Sequence, residues 1–256
     1  MSIVKMKGII IAENNMGDFD KMLTMLTPGV GKISCVAKGA RRPKSTLLAG
    51  TQFLCFAEYV MYKGQENYII NSCDTIEVFY NLRTDLDKLQ YAVDITKIIQ
   101  DVTNENENSY KILQLFLNTL YMLSETEKDP DFIVSVFKIK LLCYLGFKPN
   151  VESCTICGNK ENLHYFSIKD NGLKCEECGK SDKSAIKVSD STAISFKYIV
   201  LAPAKKLFSF ELKNDSLKEL KLISKIYLNE KLEKEYNWKR LQFLLHAIKE
   251  KNKIIK

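Results

Sequence analysis

The distribution of apolar positions divides the chain near Tyr80. Before it they alternate or cluster in short β-branched runs, and after it they recur with helical spacing. Lys7 to Glu13 is short and rich in isoleucine, and Gly31 to Gly39 is a β-rich run bounded by glycines. Within Phe53 to Tyr62, the residues Phe53, Cys55, Ala57, Tyr59 and Met61 alternate with Leu54, Phe56, Glu58, Val60 and Tyr62. Both faces of that strand are largely apolar, as a closed barrel packed against a second domain allows. Lys63 to Asn67 reads as a turn, and Tyr68 to Ile70 starts the return strand. Between the first two strands, Asp18 to Leu26 predicts a short helix, capped by Asp18 and ended by Pro28-Gly29. Short strands at this density predict a small β-barrel, of the OB-fold or SH3-like kind.

From Asn81 the period is helical. Leu82, Leu86, Leu89 and Val93 mark one stripe; after a polar break at Thr103 to Ser109, Ile112, Leu113, Phe116, Leu117 and Leu120 mark a second. Asp129-Pro130 opens a third helix, since aspartate can cap and proline suits the first turn. Asp131 to Leu145 is apolar nearly all round, which places it at the centre of a helical domain, and Gly146 ends it. Val151 to Ser184 is different in kind: cysteine, glycine and charge with little periodicity. Ser189 to Leu201 returns to helix. Ser216-Leu217-Lys218-Glu219 carries a capping-box pattern for a helix reaching Leu228. Trp238, Leu241, Leu245 and Ile248 give a final stripe. The expected fold is α+β and multidomain: a small barrel over 1–80, preferably an OB-fold, and an α-helical domain over 81–256 with a cysteine module inserted at 151–184.

Composition narrows the class. With 46% hydrophobic and 27% charged residues the chain is globular rather than disordered, and 11 Gly and 5 Pro leave no room for a long flexible linker. The most apolar run, Phe132 to Phe147, is interrupted by Lys138 and Lys140 and falls short of the ~20 residues a bilayer core demands. The first residues lack a secretory pattern, so a cytoplasmic protein without membrane association is expected. In that setting the eight cysteines read as thiols or metal ligands, not as a disulfide framework. The net charge of +7 is an argument for nucleic acid or another anionic partner. It is weakened by composition: only four of the 38 basic residues are arginine, and a lysine bias also follows from coding-base composition.

The most specific chemistry is in the cysteines. Cys154-Thr155-Ile156-Cys157 is followed after 17 residues by Cys175-Glu176-Glu177-Cys178, and a glycine follows each pair, Gly158 and Gly179. Two residues between ligands let a tight turn aim both sulfurs at one ion, and two such turns make a tetrahedral four-thiolate site that zinc prefers. An iron–sulfur cluster is the competing occupant. Four thiolates leave no open coordination position, so the site is a structural staple and not a centre for activating water. His164 lies in the intervening loop, but four sulfurs already complete the tetrahedron. Cys35, Cys55, Cys73 and Cys143 sit in apolar runs and read as small buried hydrophobes.

Catalytic groupings are sparse. His164 and His246 are the only histidines. Pro28-Gly29-Val30-Gly31-Lys32-Ile33 has the Gly-Lys of a phosphate-binding loop, but Leu26 and Ile33 stand where that motif needs glycine and a hydroxyl. Asp85, Asp87 and Asp94 are read as a solvated helix face. A second feature is basic: Lys32, Lys38, Arg41, Arg42 and Lys44 fall together in a stretch, Lys21 to Phe56, that holds no acidic residue. Half of the chain's arginines lie side by side here, and the guanidinium fork suits phosphate and stacks on bases. A strand running into a basic loop on a small barrel is how OB-folds follow a nucleic-acid backbone. A non-enzymatic zinc-ribbon transcription factor or RNA-binding adaptor fits the same features; binding of single strands without sequence preference separates the two readings.

These residues also carry a resemblance. Gly17 to Thr27, Gly31 to Ile33 and the run Val36-Ala37-Lys38-Gly39-Ala40-Arg41-Arg42-Pro43-Lys44-Ser45 resemble the N-terminal signature of the RecO family of recombination mediators. The similarity continues through Leu142 to Gly146, the four cysteines of the zinc-binding members, and Leu207 to Phe210. Met16-Gly17-Asp18 stands where the family often reads Tyr-Gly-Glu. The resemblance implies a bacterial, nucleoid-associated DNA-repair protein with an N-terminal OB-fold, a helical domain, one structural zinc and no catalytic turnover. It implies binding of single- and double-stranded DNA, annealing of complementary strands, and partnership with RecR. It further implies that the protein holds the acidic C-terminal tail of the single-strand-binding protein SSB and helps RecA onto SSB-coated strands. A tail that is acidic and ends in an apolar residue calls for an apolar groove with a basic rim, expected on the helical domain between Asn81 and Lys256.

Overall fold

The computed structural model describes residues 2–65 and 67–236, so the stripe expected from Trp238 to Ile248 lies outside the described residues. The chain forms two compact units, 1–126 and 127–256.

The first unit is built on five strands: β1 Ser2–Met16, β2 Asp20–Thr27, β3 Gly31–Ala37, β4 Phe56–Lys63 and β5 Tyr68–Glu77. They close into a barrel in the order β1-β2-β3-β5-β4. Closure depends on β1, whose first half pairs antiparallel with β4 and whose second half pairs with β2. The strand changes partner at a register shift between Ile10 and Ala12, and a bulge of this kind bends a strand around a barrel corner. Gly8 sits beside that corner, where a Cβ would come within 2.5 Å of Met25 Sδ. All ladders are antiparallel except the short β3–β5 contact, Cys35 opposite Tyr68 and Val36 opposite Ile69. Alternate residues point inward, so Ile33, Cys35 and Ala37 meet Leu23, Met25, Ala57, Tyr59 and Met61 in the core. The buried Tyr59 hydroxyl donates to Gly50 O at 2.7 Å.

The helix expected over Asp18 to Leu26 does not form. A turn at Gly17–Phe19 leads directly into β2, with Gly17 at φ +55°. Leu23 and Met25 alternate with Met22 and Thr24, and neighbours on both sides, β1 and β3, take up the backbone hydrogen bonds. In an eight-residue segment that pairing outweighs helical propensity. The strand expected from Phe53 begins at Phe56, because the chain still turns through Leu54, at φ 62°.

Three helices complete this unit: α1 Tyr80–Thr84, α2 Leu86–Val102 and α3 Tyr110–Glu125. Asp85 caps α2, accepting from the amides of Asp87 and Lys88. Because the chain breaks there, the phase read from Leu82 does not carry over: Leu86 is exposed, and Ala92, Ile95, Ile98 and Ile99 form the buried face. Asp94, expected on a solvated face, is buried and accepts from Gln90 Nε2 at 2.8 Å. The polar break at Thr103 to Ser109 docks on the barrel: Lys32 N donates to Asn104 O, Asn106 N to Val30 O and Ser109 N to Pro28 O. Gly31 lies under this strap at φ +69°, with space for no side chain.

The second unit is centred on α4 Pro130–Tyr144, capped by Asp129 and buried from Phe132 through Leu142 on every side. It continues with β6 Tyr165–Ser167, β7 Gly172–Lys174, α5 Glu176–Lys180, β8 Ile186–Lys187, α6 Asp190–Leu201 and α7 Asn214–Lys231. Lys140 is buried in this core. Its ammonium donates to Ile199 O, Val200 O and Ala202 O, closing the carbonyl end of α6. Ser216 and Glu219 form no capping box for α7, which begins two residues before Ser216. Glu219 instead accepts from Ser189 N, Ser189 Oγ and Thr192 Oγ1, and so holds in place Ser189, which caps α6 by accepting from Thr192 N. Among the described residues no helix is long and apolar enough to cross a membrane.

Candidate metal centre and nucleic-acid interface

Two tight turns deliver the four cysteines. In the first, Gly158 N donates to Cys154 O at 3.0 Å and Gly158 adopts φ +76°, a conformation that suits glycine. In the second, Cys175 precedes α5 and its carbonyl accepts from Gly179 N at 2.8 Å. A Cβ on Gly179 would meet the Tyr165 ring at 2.2 Å, so a side chain there would push α5 away from β6. Strand β7 joins the turns: Leu173 O accepts from Thr155 N, and Cys175 follows two residues later. Phe166 on β6 ties the module to the helices, stacking on Phe196 at 4.7 Å and meeting Tyr227 edge-on at 5.4 Å.

The Sγ atoms of Cys154, Cys157, Cys175 and Cys178 all lie within 4.8 Å of one another, and Cys157 Sγ is 3.7 Å from Cys175 Sγ. Tetrahedral metal–sulfur bonds of ~2.3 Å place sulfurs ~3.8 Å apart, so the donor set fits such an ion. The thiols are electrostatically unequal. Burial pushes Cys154 up, but the backbone amides of Cys157, Cys175 and Ile156 outweigh it and hold Cys154 below the usual thiol range. Cys178 is pushed up to about 12, chiefly by hydrogen bonds with Cys175 and Cys157. Four sulfurs this close cannot all ionise by themselves; a cation removes that conflict. His164 is not part of the cluster. Its Nε2 is 2.7 Å from Asp190 Oδ1, and its Nδ1 is 3.5 Å from Glu176 Oε2. Next to the centre, the buried Lys174 bridges Asp170 at 2.6 Å and Asp182 at 2.7 Å. The Lys174 ammonium holds the Asp182 carboxyl well below the usual carboxylate range. Of the four other thiols, Cys35 and Cys55 are buried as expected, whereas Cys73 and Cys143 are only half-buried. Burial pushes all four up, Cys35 to about 12 and Cys143 to about 11, which disfavours the reactive thiolate.

The basic stretch divides into two roles. Lys32 lies on β3, and its ammonium donates to Gln100 O at 2.7 Å in the last turn of α2. Lys38, Arg41, Arg42 and Lys44 are exposed where β3 runs out. The loop is not open coil: Arg42 N donates to Gly39 O, Ser45 N to Arg42 O and Leu48 N to Ser45 O, in successive turns. Ala40 and Leu47 drop into the barrel core and fix it. Its neighbour is the β1–β2 hairpin tip. Arg41 N donates to Phe19 O at 2.9 Å, Arg41 Nη1 to Gly17 O at 3.2 Å, and Gly39 N to Asp20 Oδ1 at 2.7 Å. Arg42 Cζ stands 5.3 Å from the centroid of the Phe19 ring. The sequence pattern does not single out Phe19, because its segment also fits a helix; the Gly17-Asp18 pair after a β-rich run is the one local turn signal.

Comparison with known proteins covers both units. The family models described as Recombination protein O N terminal and Recombination protein O C terminal match residues 1–79 and 83–241. A protein named DNA repair protein RecO from Acetivibrio thermocellus is 46% identical over 95% of this chain and 97% of its own length. Proteins of the same name from Caldicellulosiruptor bescii and a Thermoanaerobacter species are 33% and 31% identical, covering 92% and 93% of this chain and 96% of each relative.

Proposed function

The chain belongs to the RecO family of DNA repair and recombination proteins, and from that premise we propose that it is a non-enzymatic, DNA-binding recombination mediator. It binds single- and double-stranded DNA, anneals complementary strands and, with RecR, helps RecA onto SSB-coated single strands. The observation that carries this reading is the exposed Lys38, Arg41, Arg42 and Lys44 group, held on turns anchored in the barrel. The barrel is an OB-fold in this reading, a proposal supported by the strand order β1-β2-β3-β5-β4 and the lone parallel β3–β5 pair. The ion is zinc, held by Cys154, Cys157, Cys175 and Cys178 as a structural staple; the sulfur spacing and the all-thiolate donor set support it. The acidic, apolar-ended SSB tail docks on the helical part. Exposed Ile194 and Leu201, with exposed Lys197 on the same side of α6, support that placement.

The test is strand annealing on SSB-coated complementary oligonucleotides, with and without RecR. Acceleration by the protein is the expected result. Failure to bind or anneal bare strands removes the reading. Strong preference for one duplex sequence would favour the transcription-factor alternative.

A further inference from the structure

We propose that Phe19, with the Arg42 guanidinium placed over it, is a base-stacking platform that gives the barrel its grip on unpaired bases; the inference rests on the DNA-binding reading above. Phe19 occupies a hairpin tip and is 47% exposed, and Arg42 is the cation over its ring. The tip is fixed on both sides of the ring. Arg41 N and Arg41 Nη1 bind the carbonyls of Phe19 and Gly17, and Gly39 N binds the Asp20 carboxylate. The backbone that carries the ring is thus held before any ligand arrives, which lowers the entropic cost of stacking on it. Ring and guanidinium are both planar, and each accepts the face of a base. Asp18, exposed and next to Phe19 in the turn, disfavours a phosphate at the tip, and Lys38, Arg41 and Lys44 provide for phosphates alongside. The arrangement therefore suits a single strand with its backbone on the basic turns and a base on Phe19. A duplex keeps its bases stacked on one another and offers the platform nothing.

The experiment is fluorescence anisotropy over a salt series, using full-length protein and three labelled probes: an oligothymidylate, an abasic strand of equal length and a duplex. Phe19→Ala is expected to weaken oligothymidylate binding about five- to hundredfold, with abasic and duplex binding held within about twofold and the salt slope unchanged. Phe19→Trp, made with Trp238→Phe to remove the native indole, is expected to restore affinity, with emission quenched by oligothymidylate and not by the abasic strand. Unchanged oligothymidylate binding by Phe19→Ala overturns the platform. An equal loss on all three probes overturns it too, since the ring would then only support the basic turns. Wild-type protein that binds none of the probes removes the DNA-binding reading itself, and the platform with it.

Discussion

Glu219 illustrates how a local pattern can be right in chemistry and wrong in address. The Ser216–Glu219 spacing is that of a capping box, and Glu219 does accept from a helix start, but that start belongs to α6. Its carboxylate takes three hydrogen bonds from Ser189 and Thr192. Burial works against ionisation here, yet those bonds prevail and hold the carboxyl below its usual 4.5. The folded value lies below the unfolded one, so the stabilisation is fully present above the unfolded value and is lost as pH falls through the folded value. Glu219→Ala is expected to cost ~1 kcal/mol near neutral pH, the scale of a lost cap. Urea melts at pH 7 and pH 3 test this. The deficit relative to wild type should shrink at the lower pH; a deficit independent of pH would locate the effect in packing.

Among the elements, legibility followed the range of the interactions. Helix α4 was readable because its determinants lie within it: Asp129 as cap, Pro130 in the first turn, and apolar residues on every side. Strand β2 was not, because an eight-residue apolar segment fits either period and its state is decided by β1 and β3. The cysteine turns were readable since ligand spacing is itself local. Lys32 looked like one more basic residue, whereas its partner Gln100 lies 68 positions away and no spacing rule points to it. The cysteine module is also where an element prediction is sharpest. Within 151–184 it has two short strands and one five-residue helix, with β8 just beyond. Beside the cysteines its buried apolar side chains are few, Val151, Phe166 and Leu173, too little for an independent core. Purified protein is expected to carry about one zinc per chain. Cys175→Ser is expected to lose that metal and to expose the module to protease, because structural metal binding is largely folding free energy. Native mass spectrometry with a proteolysis time course checks both. Metal-free wild-type protein, or a disulfide within either pair, contradicts the assignment.

For the molecule as a whole, a net charge of +7 says little until the charges are placed. The structure divides the basic stretch into a lysine that holds two elements together and four residues that face outward, and the two kinds predict different losses. Each phosphate contact releases counterions, so removing one should reduce the salt slope of single-strand binding by ~0.7. Arg41→Ala with Arg42→Ala should therefore flatten the slope by ~0.7, the share of Arg41, since Arg42 lies over the Phe19 ring; that loss of slope should be similar on any sequence, because phosphate contacts position without specifying. The Arg41 side chain also bonds Gly17 O on the surface, so a stability change within ~0.5 kcal/mol is expected from the pair. Lys32→Ala should behave in the opposite way. Its ammonium meets a carbonyl at the negative end of α2, where a cation contributes ~0.3–1 kcal/mol beyond the hydrogen bond, so stability should fall while the slope stays. Anisotropy across a salt series, paired with melting curves for both variants, reads the two effects separately. A folded double-arginine variant with wild-type affinity and slope would move the DNA path away from this loop, and a Lys32→Ala variant with reduced slope and unchanged stability would return that lysine to the DNA-facing set.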